Sequence, residues 1–182
     1  KMEDIERFKV GNIDSDFQKG KRRGPEFSTL KNVMIKCLFG FHRLAINGLN
    51  QESNQPLIIN DIGLICNGEI YNYKQLYKLI DNEVINETDS DCEVIIHLYQ
   101  KYGIEQTLQL LDGVYSFILI DYRLMLEKSK IYVVRDPYGV RPLFMLHGKK
   151  QKQQPQLNNV FSIYKNNIFG FASELKSLTG LY

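Results

Sequence analysis

Tryptophan is missing from this 182-residue chain, proline is scarce at five residues, and cysteine is limited to three. Cys37, Cys66 and Cys92 are odd in number and widely spaced. A disulfide framework needs pairs, and a structural zinc site wants ligands two to four residues apart, so neither is encoded. Free thiols suit a reducing compartment, and the expected location is the cytoplasm. No apolar run approaches the roughly 20 residues of a membrane-spanning helix, so no membrane partner is expected. The stretch KMEDIERFKVGNIDSD has charges throughout and no apolar centre, so no secretory signal is expected in it. A dominant charge sign is missing too. Lys and Arg number 23 against 21 Asp and Glu, for a net charge of +2. That balance gives no bulk attraction for nucleic acid.

The sequence does have enough apolar residues, 43%, to bury the core of one soluble domain. Residues 1–32 are polar and broken by Gly11, Gly20, Gly24 and Pro25, which predicts a short helix and loops. The basic run Lys19-Gly20-Lys21-Arg22-Arg23 lies in that region and reads as a solvated loop, since no aromatic interleaving or basic helix follows it. From Val33 the texture becomes β, in VMIKCLFGFHRLAI (33–46), LII (57–59) and GLIC (63–66). Residues 71–82 carry Tyr73, Leu76, Tyr77 and Ile80 at helical spacing. A second helix opens at Asp91, with Thr88, Ser90 and Asp91 as candidate N-caps and Gly103 as a stop; residues 104–111 form a further short helix. Five strand candidates follow, at 114–123, 130–136, 143–146, 159–165 and 168–173, with a polar hairpin insertion at 147–159 and a closing helix at 173–179. Segregated strands and helices predict an α+β layered domain, with largely antiparallel sheets between helical layers.

The polar residues that need explaining sit at strand ends. Arg43 ends an apolar strand in Phe41-His42-Arg43-Leu44, Asn67-Gly68-Glu69 follows GLIC, and Asp91 starts a helix. Each has an ordinary explanation: Asn-Gly makes turns, Asp caps helices, and His42 packs. Cys92 lies in a first helical turn, which favours a thiolate, and is the better of the thiols for reactivity. Together the strand-end residues suggest a pocket. Arg43 can fork a carboxylate, while Glu69 and Asp91 can hold an ammonium, which suits a free α-amino acid. An Asn amide and a glycine N–H suit an oxyanion. No convincing nucleophile accompanies them.

CNGEIYNY (66–73) followed by TDSDCEVIIHLYQKYG (88–103) resembles the class II glutamine amidotransferase domain of asparagine synthetases. RRGPEFS (22–28), FHRLAI (41–46), NQPL (54–57), LDGVYSFILID (111–121), VRDPYGVRPLF (134–144) and FASELKSL (171–178) resemble further segments of that family, in its order. The resemblance covers about residues 20–180, and it implies that the chain, 1–182, is one glutaminase domain. It implies a four-layer αββα sandwich of the N-terminal-nucleophile hydrolase type. It also implies hydrolysis of L-glutamine to glutamate and ammonia through a cysteinyl thioester. Arg43 would bind the α-carboxylate, with Leu44, Ala45, Ile46 and Asn47 lining the same strand end. Glu69 and Asp91 would hold the α-ammonium, and Asn67 with Gly68 would form the oxyanion hole.

The family's nucleophile is a cysteine directly after the initiator methionine, and its own α-amino group is the base. The chain begins at Lys1 instead, so the expectation is a truncated domain without its first strand, and inactive alone. Ala45, Asn47-Gly48 and Arg22 also depart from the family's usual residues. The resemblance implies no cofactor or metal in this domain. ATP and magnesium would belong to a downstream synthetase domain of the same polypeptide, the expected partner beside L-glutamine and a possible second copy. Two alternatives stay open: the glutaminase domain of an amidophosphoribosyltransferase, which Arg141 matches better than lysine would, and a degenerate, non-catalytic glutaminase fold.

Overall fold

The computed structural model describes residues 10–34, 37–80, 86–124, 128–147, 160–161 and 169–181. Helix α1 (Val10–Gln18) and a 3-10 turn (Lys21–Arg23) lead into the antiparallel pair β1 (Phe27–Met34) and β2 (Cys37–Arg43). A loop then brings the chain to β3 (Leu57–Ile59) and β4 (Ile62–Ile70). Helix α2 (Tyr73–Ile80) follows, and a 3-10 turn (Asp91–Glu93) runs directly into α3 (Val94–Leu110). The C-terminal part holds β5 (Gly113–Asp121), β6 (Lys130–Arg135), β7 (Phe144–His147), β8 (Val160–Phe161), β9 (Phe169–Ala172) and a closing 3-10 segment (Leu175–Leu181). Strands β3-β4-β5-β6-β8 make one antiparallel sheet, and β7 pairs with β9.

Side-chain alternation decides the layering, because successive residues of a strand point to opposite faces. In β5, Tyr115, Phe117 and Leu119 enter a core with Leu76 and Ile80 of α2 and Val94, Ile95 and Leu98 of α3. Ile118 and Ile120 enter the opposite core, with Phe39 of β2, Val33 and Met34 of β1, and Phe171 of β9. The two strand pairs therefore cover one face of the large sheet and the helices cover the other. Each fully buried Leu, Ile or Phe contributes about 1.5–3 kcal/mol, so the two faces carry most of the stability. On the outer side, the Phe17 ring of α1 stacks on His42 of β2 at 3.9 Å. The N–H of Gly180 donates to Asp16 Oδ2 at 2.7 Å and ties the closing segment to α1. The result is the expected α+β arrangement of four layers, helix, sheet, sheet, helix.

Some local expectations change. Strand β1 lies where loops were predicted. Its sequence, FSTLKNVM, has no period-two pattern, and pairing along β2 overrides that weak local preference. The apolar run 33–46 is not one strand: it ends in β1 at Met34, resumes at Cys37 and leaves the sheet after Arg43. Helix α3 runs through Gly103, whose φ of +77° breaks the helical backbone, so the stop and the restart at 104 both hold. Most of the hairpin insertion at 147–159 lies outside the described residues, and of the strand expected at 159–165 only 160–161 are described.

Candidate functional site

A cavity of about 280 Å³ opens where β2 ends and β4 passes beneath it. Arg43, Leu44, Ala45, Ile46, Asn47, Asn67, Gly68, Glu69 and Asp91 all line it. The topology explains how residues so far apart in sequence meet. Arg43 is the last residue of β2, residues 67–69 lie within β4, and Asp91 opens the turn before α3.

The edge of β4 supplies the amide donors. Strand β3 pairs only with its first part, Leu57 opposite Leu64 and Ile59 opposite Ile62. Backbone groups of an antiparallel strand face alternate edges, so residues 66, 68 and 70 share one. On that edge the Cys66 N–H donates to Gln55 Oε1 at 2.6 Å, and the Ile70 N–H donates to Asp91 Oδ2 at 2.6 Å. The Gly68 N–H faces the same way between them. A Cβ at position 68 would stand 2.2 Å from the Val114 carbonyl oxygen and 2.5 Å from Tyr115 Cα, so β5 admits only glycine there. Beside it, Asn67 Nδ2 is buried and has no acceptor among the described residues. A buried amide donor without an acceptor costs about 1–3 kcal/mol, a cost that an oxyanion in the cavity would remove.

The charged groups divide differently. Arg43 is 7% exposed. Its guanidinium donates to the Asn50 carbonyl at 2.9 Å, to Asn54 Oδ1 at 2.7 Å and to the Gly48 carbonyl. It therefore braces the 48–54 loop, yet its acceptors are neutral, and among the described residues no carboxylate pairs with it. Asp91 is 5% exposed. Burial pushes its pKa above the ordinary carboxylate value, and the nearby Glu69 carboxylate adds to the rise, against lowering hydrogen bonds from the Ile70 backbone and the Asn47 side chain. Among the described residues neither Asp91 nor Glu69 has an ion-pair partner. A cation placed between them would relieve both effects.

Several residues around the site had no obvious signal in sequence. Glu93 is fully buried and accepts from Glu87 N–H at 2.8 Å, Thr88 N–H at 2.7 Å, Thr88 Oγ1 at 2.5 Å and His97 Nε2 at 2.9 Å. It fixes the loop that delivers Asp91; only its i,i+4 spacing to His97 hinted at a pair. Ser53 accepts from Asp89 N–H at 3.1 Å, and Asn50 Nδ2 donates to Asp89 Oδ2 at 3.0 Å, joining the loop that Arg43 braces to the segment that leads into Asp91. Asp136 accepts from the N–H groups of Tyr138, Val140 and Arg141 and so shapes the turn that brings Arg141 to the cavity.

Other candidates resolve as structural. His42 Nε2 lies 2.7 Å from the Phe17 carbonyl, which can only accept, so this nitrogen carries the proton, and Nδ1 accepts from Ser28 Oγ at 2.8 Å. Lys19 pairs with Asp16, and Arg23 lies 3.7 Å from Glu174, so these two members of the basic run meet acidic partners. Cys92 and Cys66 are buried in contact with each other at the cavity wall. The Cys66 contact and burial push the Cys92 thiol well above its ordinary value, which corrects the expectation of a reactive thiol there.

A four-layer body of this topology, with amide donors and opposed charges around one cavity, fits a domain of the amidotransferase class. Residues 4–182 match the family model described as "Glutamine amidotransferase domain", and the chain belongs to that family. Within it, the chain is 45% identical over 128 residues to the glutamine-hydrolyzing asparagine synthetase of Gallus gallus, covering 67% of this chain and 21% of that protein. The glutamine-hydrolyzing asparagine synthetase of Homo sapiens is 42% identical over 127 residues, with the same coverage. The chain thus spans about a fifth of the length of these curated relatives. Among solved structures it is similar to the glutamine phosphoribosylpyrophosphate amidotransferase of B. subtilis, complexed with ADP and GMP. That match has a TM-score of 0.56 at 24% identity, covers 78% of this chain and 28% of that one, and bears on the fold alone.

Proposed function

We propose that this chain is the glutamine-hydrolysing domain of an asparagine synthetase-like enzyme, releasing ammonia for amidation of aspartate by a synthetase domain of the same polypeptide. The observation that carries this reading is the convergence of Arg43, the Glu69–Asp91 pair and the Asn67–Gly68 donors on one cavity. Glutamine bears a carboxylate, an ammonium and a side-chain amide, and the cavity offers a complement to each. Arg43 holds the α-carboxylate, and Asp91 and Glu69 hold the α-ammonium. The side-chain carbonyl then lies against Asn67 Nδ2 and the Gly68 N–H.

The nucleophile in this reading is the thiol of a cysteine that carries a free α-amino group, which Cys37, Cys66 and Cys92 lack. Its sulfur attacks the amide carbon, and the two donors stabilise the resulting oxyanion. The thiol proton passes through the cysteine's own amine to the departing ammonia, and water cleaves the thioester to glutamate. Cys66 and Cys92 are poor substitutes, since both are buried and the Cys92 thiol is held protonated. Among the described residues no group of three or more His, Cys, Asp or Glu is placed to hold a metal ion. This reading assigns ATP and magnesium to the synthetase domain and gives them no part in glutamine hydrolysis. None of the described helices is long and apolar enough to cross a membrane. A cytoplasmic enzyme, with a second copy as a further partner, is part of the same proposal.

The test is glutaminase activity of the full-length protein with and without Asn67→Ala. Loss of one oxyanion donor lowers kcat roughly 100- to 1000-fold. A variant that turns over glutamine within about threefold of the unsubstituted protein would place the oxyanion elsewhere.

A further inference from the structure

We infer that Gln55 is a positioning residue for glutamine hydrolysis: its side-chain carbonyl replaces a strand at the open edge of β4 and leaves the Gly68 N–H free to face the cavity. The inference rests on the reading of Asn67 and Gly68 as the oxyanion site. The register that pairs Leu57 with Leu64 and Ile59 with Ile62 would, if continued, set residue 55 opposite 66 and residue 53 opposite 68. The ladder does not continue. At the next hydrogen-bonding position, Cys66 N–H meets the Gln55 side chain, Oε1, at 2.6 Å, and no backbone carbonyl. Upstream, Ser53 has already turned away, donating to Asn50 Oδ1 and accepting from Asp89 N–H at 3.1 Å.

This substitution of side chain for backbone solves a conflict at the edge. A strand that ran on past Leu57 would bring a carbonyl to Gly68 and consume its N–H. A strand that ended at Leu57 with nothing in its place would leave Cys66 N–H buried and unpaired, a defect that drives local rearrangement. Gln55 satisfies Cys66 and stops there. It is 6% exposed and lines the same cavity. With Asp91 Oδ2 holding Ile70 N–H at 2.6 Å, the two side chains bracket Gly68 from both sides and fix the direction of its N–H.

Gln55 touches backbone and not the reacting amide, so its loss should disturb the oxyanion site more than substrate binding. The experiment compares Gln55→Met, which keeps length without an acceptor oxygen, and Gln55→Glu, which keeps the acceptor, in the full-length protein. Steady-state glutamine hydrolysis and thermal melting are measured on each. The expected result is a fall in kcat of at least tenfold for Gln55→Met with KM within threefold, and recovery to at least a third of the original kcat in Gln55→Glu. Should Gln55→Met not fold, Gln55→Ala replaces it in the same comparison. A kcat within threefold of the unsubstituted protein, a lower melting midpoint without loss of kcat, or no rescue by Gln55→Glu would each overturn the inference while leaving the glutaminase reading intact. Absence of glutamine hydrolysis in the unsubstituted full-length protein would instead overturn that reading, and this inference with it.

Discussion

Asp91 and Glu93 stand two residues apart at the entry to α3, both nearly removed from water, at 5% and 0% exposure, yet their surroundings are opposite. Burial raises the pKa of Glu93, but hydrogen bonds from His97, Thr88 and the Glu87 backbone outweigh it, and the group ends below its ordinary value. For Asp91, burial and the Glu69 charge win, and it ends above. Glu93 is a finished interaction; Asp91 is an unfinished one. The same contrast separates Asp136, held low by four backbone hydrogen bonds against its burial, from Asn67 Nδ2, buried without an acceptor. Around this cavity, Glu93 and Asp136 are completed by the scaffold, while Asp91 and Asn67 Nδ2 are left for a ligand to complete.

The strongest way to break that contrast is to remove Glu93. Glu93→Ala leaves His97 and two loop N–H groups without their acceptor and should cost about 3–5 kcal/mol of stability, read by denaturant unfolding. Because its folded pKa is depressed, the stabilisation from ionised Glu93 is present above the unfolded value near 4.5 and lost as pH falls through the lower folded value. The difference between wild type and variant should therefore shrink in acid below about pH 4.5. A destabilisation under about 1 kcal/mol at neutral pH would mean that Glu93 is not the centre of the loop.

Arg43 lies between the two classes, bracing a loop while keeping its charge. Arg43→Ala should lower the melting midpoint and also weaken glutamine binding by roughly 2–5 kcal/mol, mostly as raised KM. A variant that melts early but keeps its KM would move Arg43 wholly into the scaffold.

How much of this was legible in the sequence follows the same division. The candidate residues were visible because charge and amide groups are out of place beside apolar runs, and the cavity gathers all of them, although Asn67, Gly68 and Glu69 lie inside β4 and not beyond the end of a strand. The layer order was visible in the switch between strand and helix periodicity, and in the resemblance that CNGEIYNY and TDSDCEV carry. Strand β1 was not, because FSTLKNVM is held by its partner strand and not by its own pattern. Gln55 was not either, since a side chain that ends a β-ladder follows no periodicity and shows itself only once the register is known. The raised pKa of the Cys92 thiol depends on Cys66 lying against it, a contact between residues 26 positions apart that no local rule supplies.

Asp91→Asn isolates the claim that the cavity reads a whole free amino acid, because asparagine keeps an oxygen for the Ile70 N–H but cannot balance an ammonium. Because the folded pKa of Asp91 is raised, ionisation costs stability as pH rises through the window from 3.8 upward, so at neutral pH the variant should melt at or above the unsubstituted protein. The decisive measurement is kcat/KM for glutamine against its des-amino analogue, in full-length protein with and without Asp91→Asn. The account predicts a strong preference for glutamine that falls at least tenfold in the variant, with no loss in melting midpoint. An unchanged preference in a folded Asp91→Asn protein would contradict it.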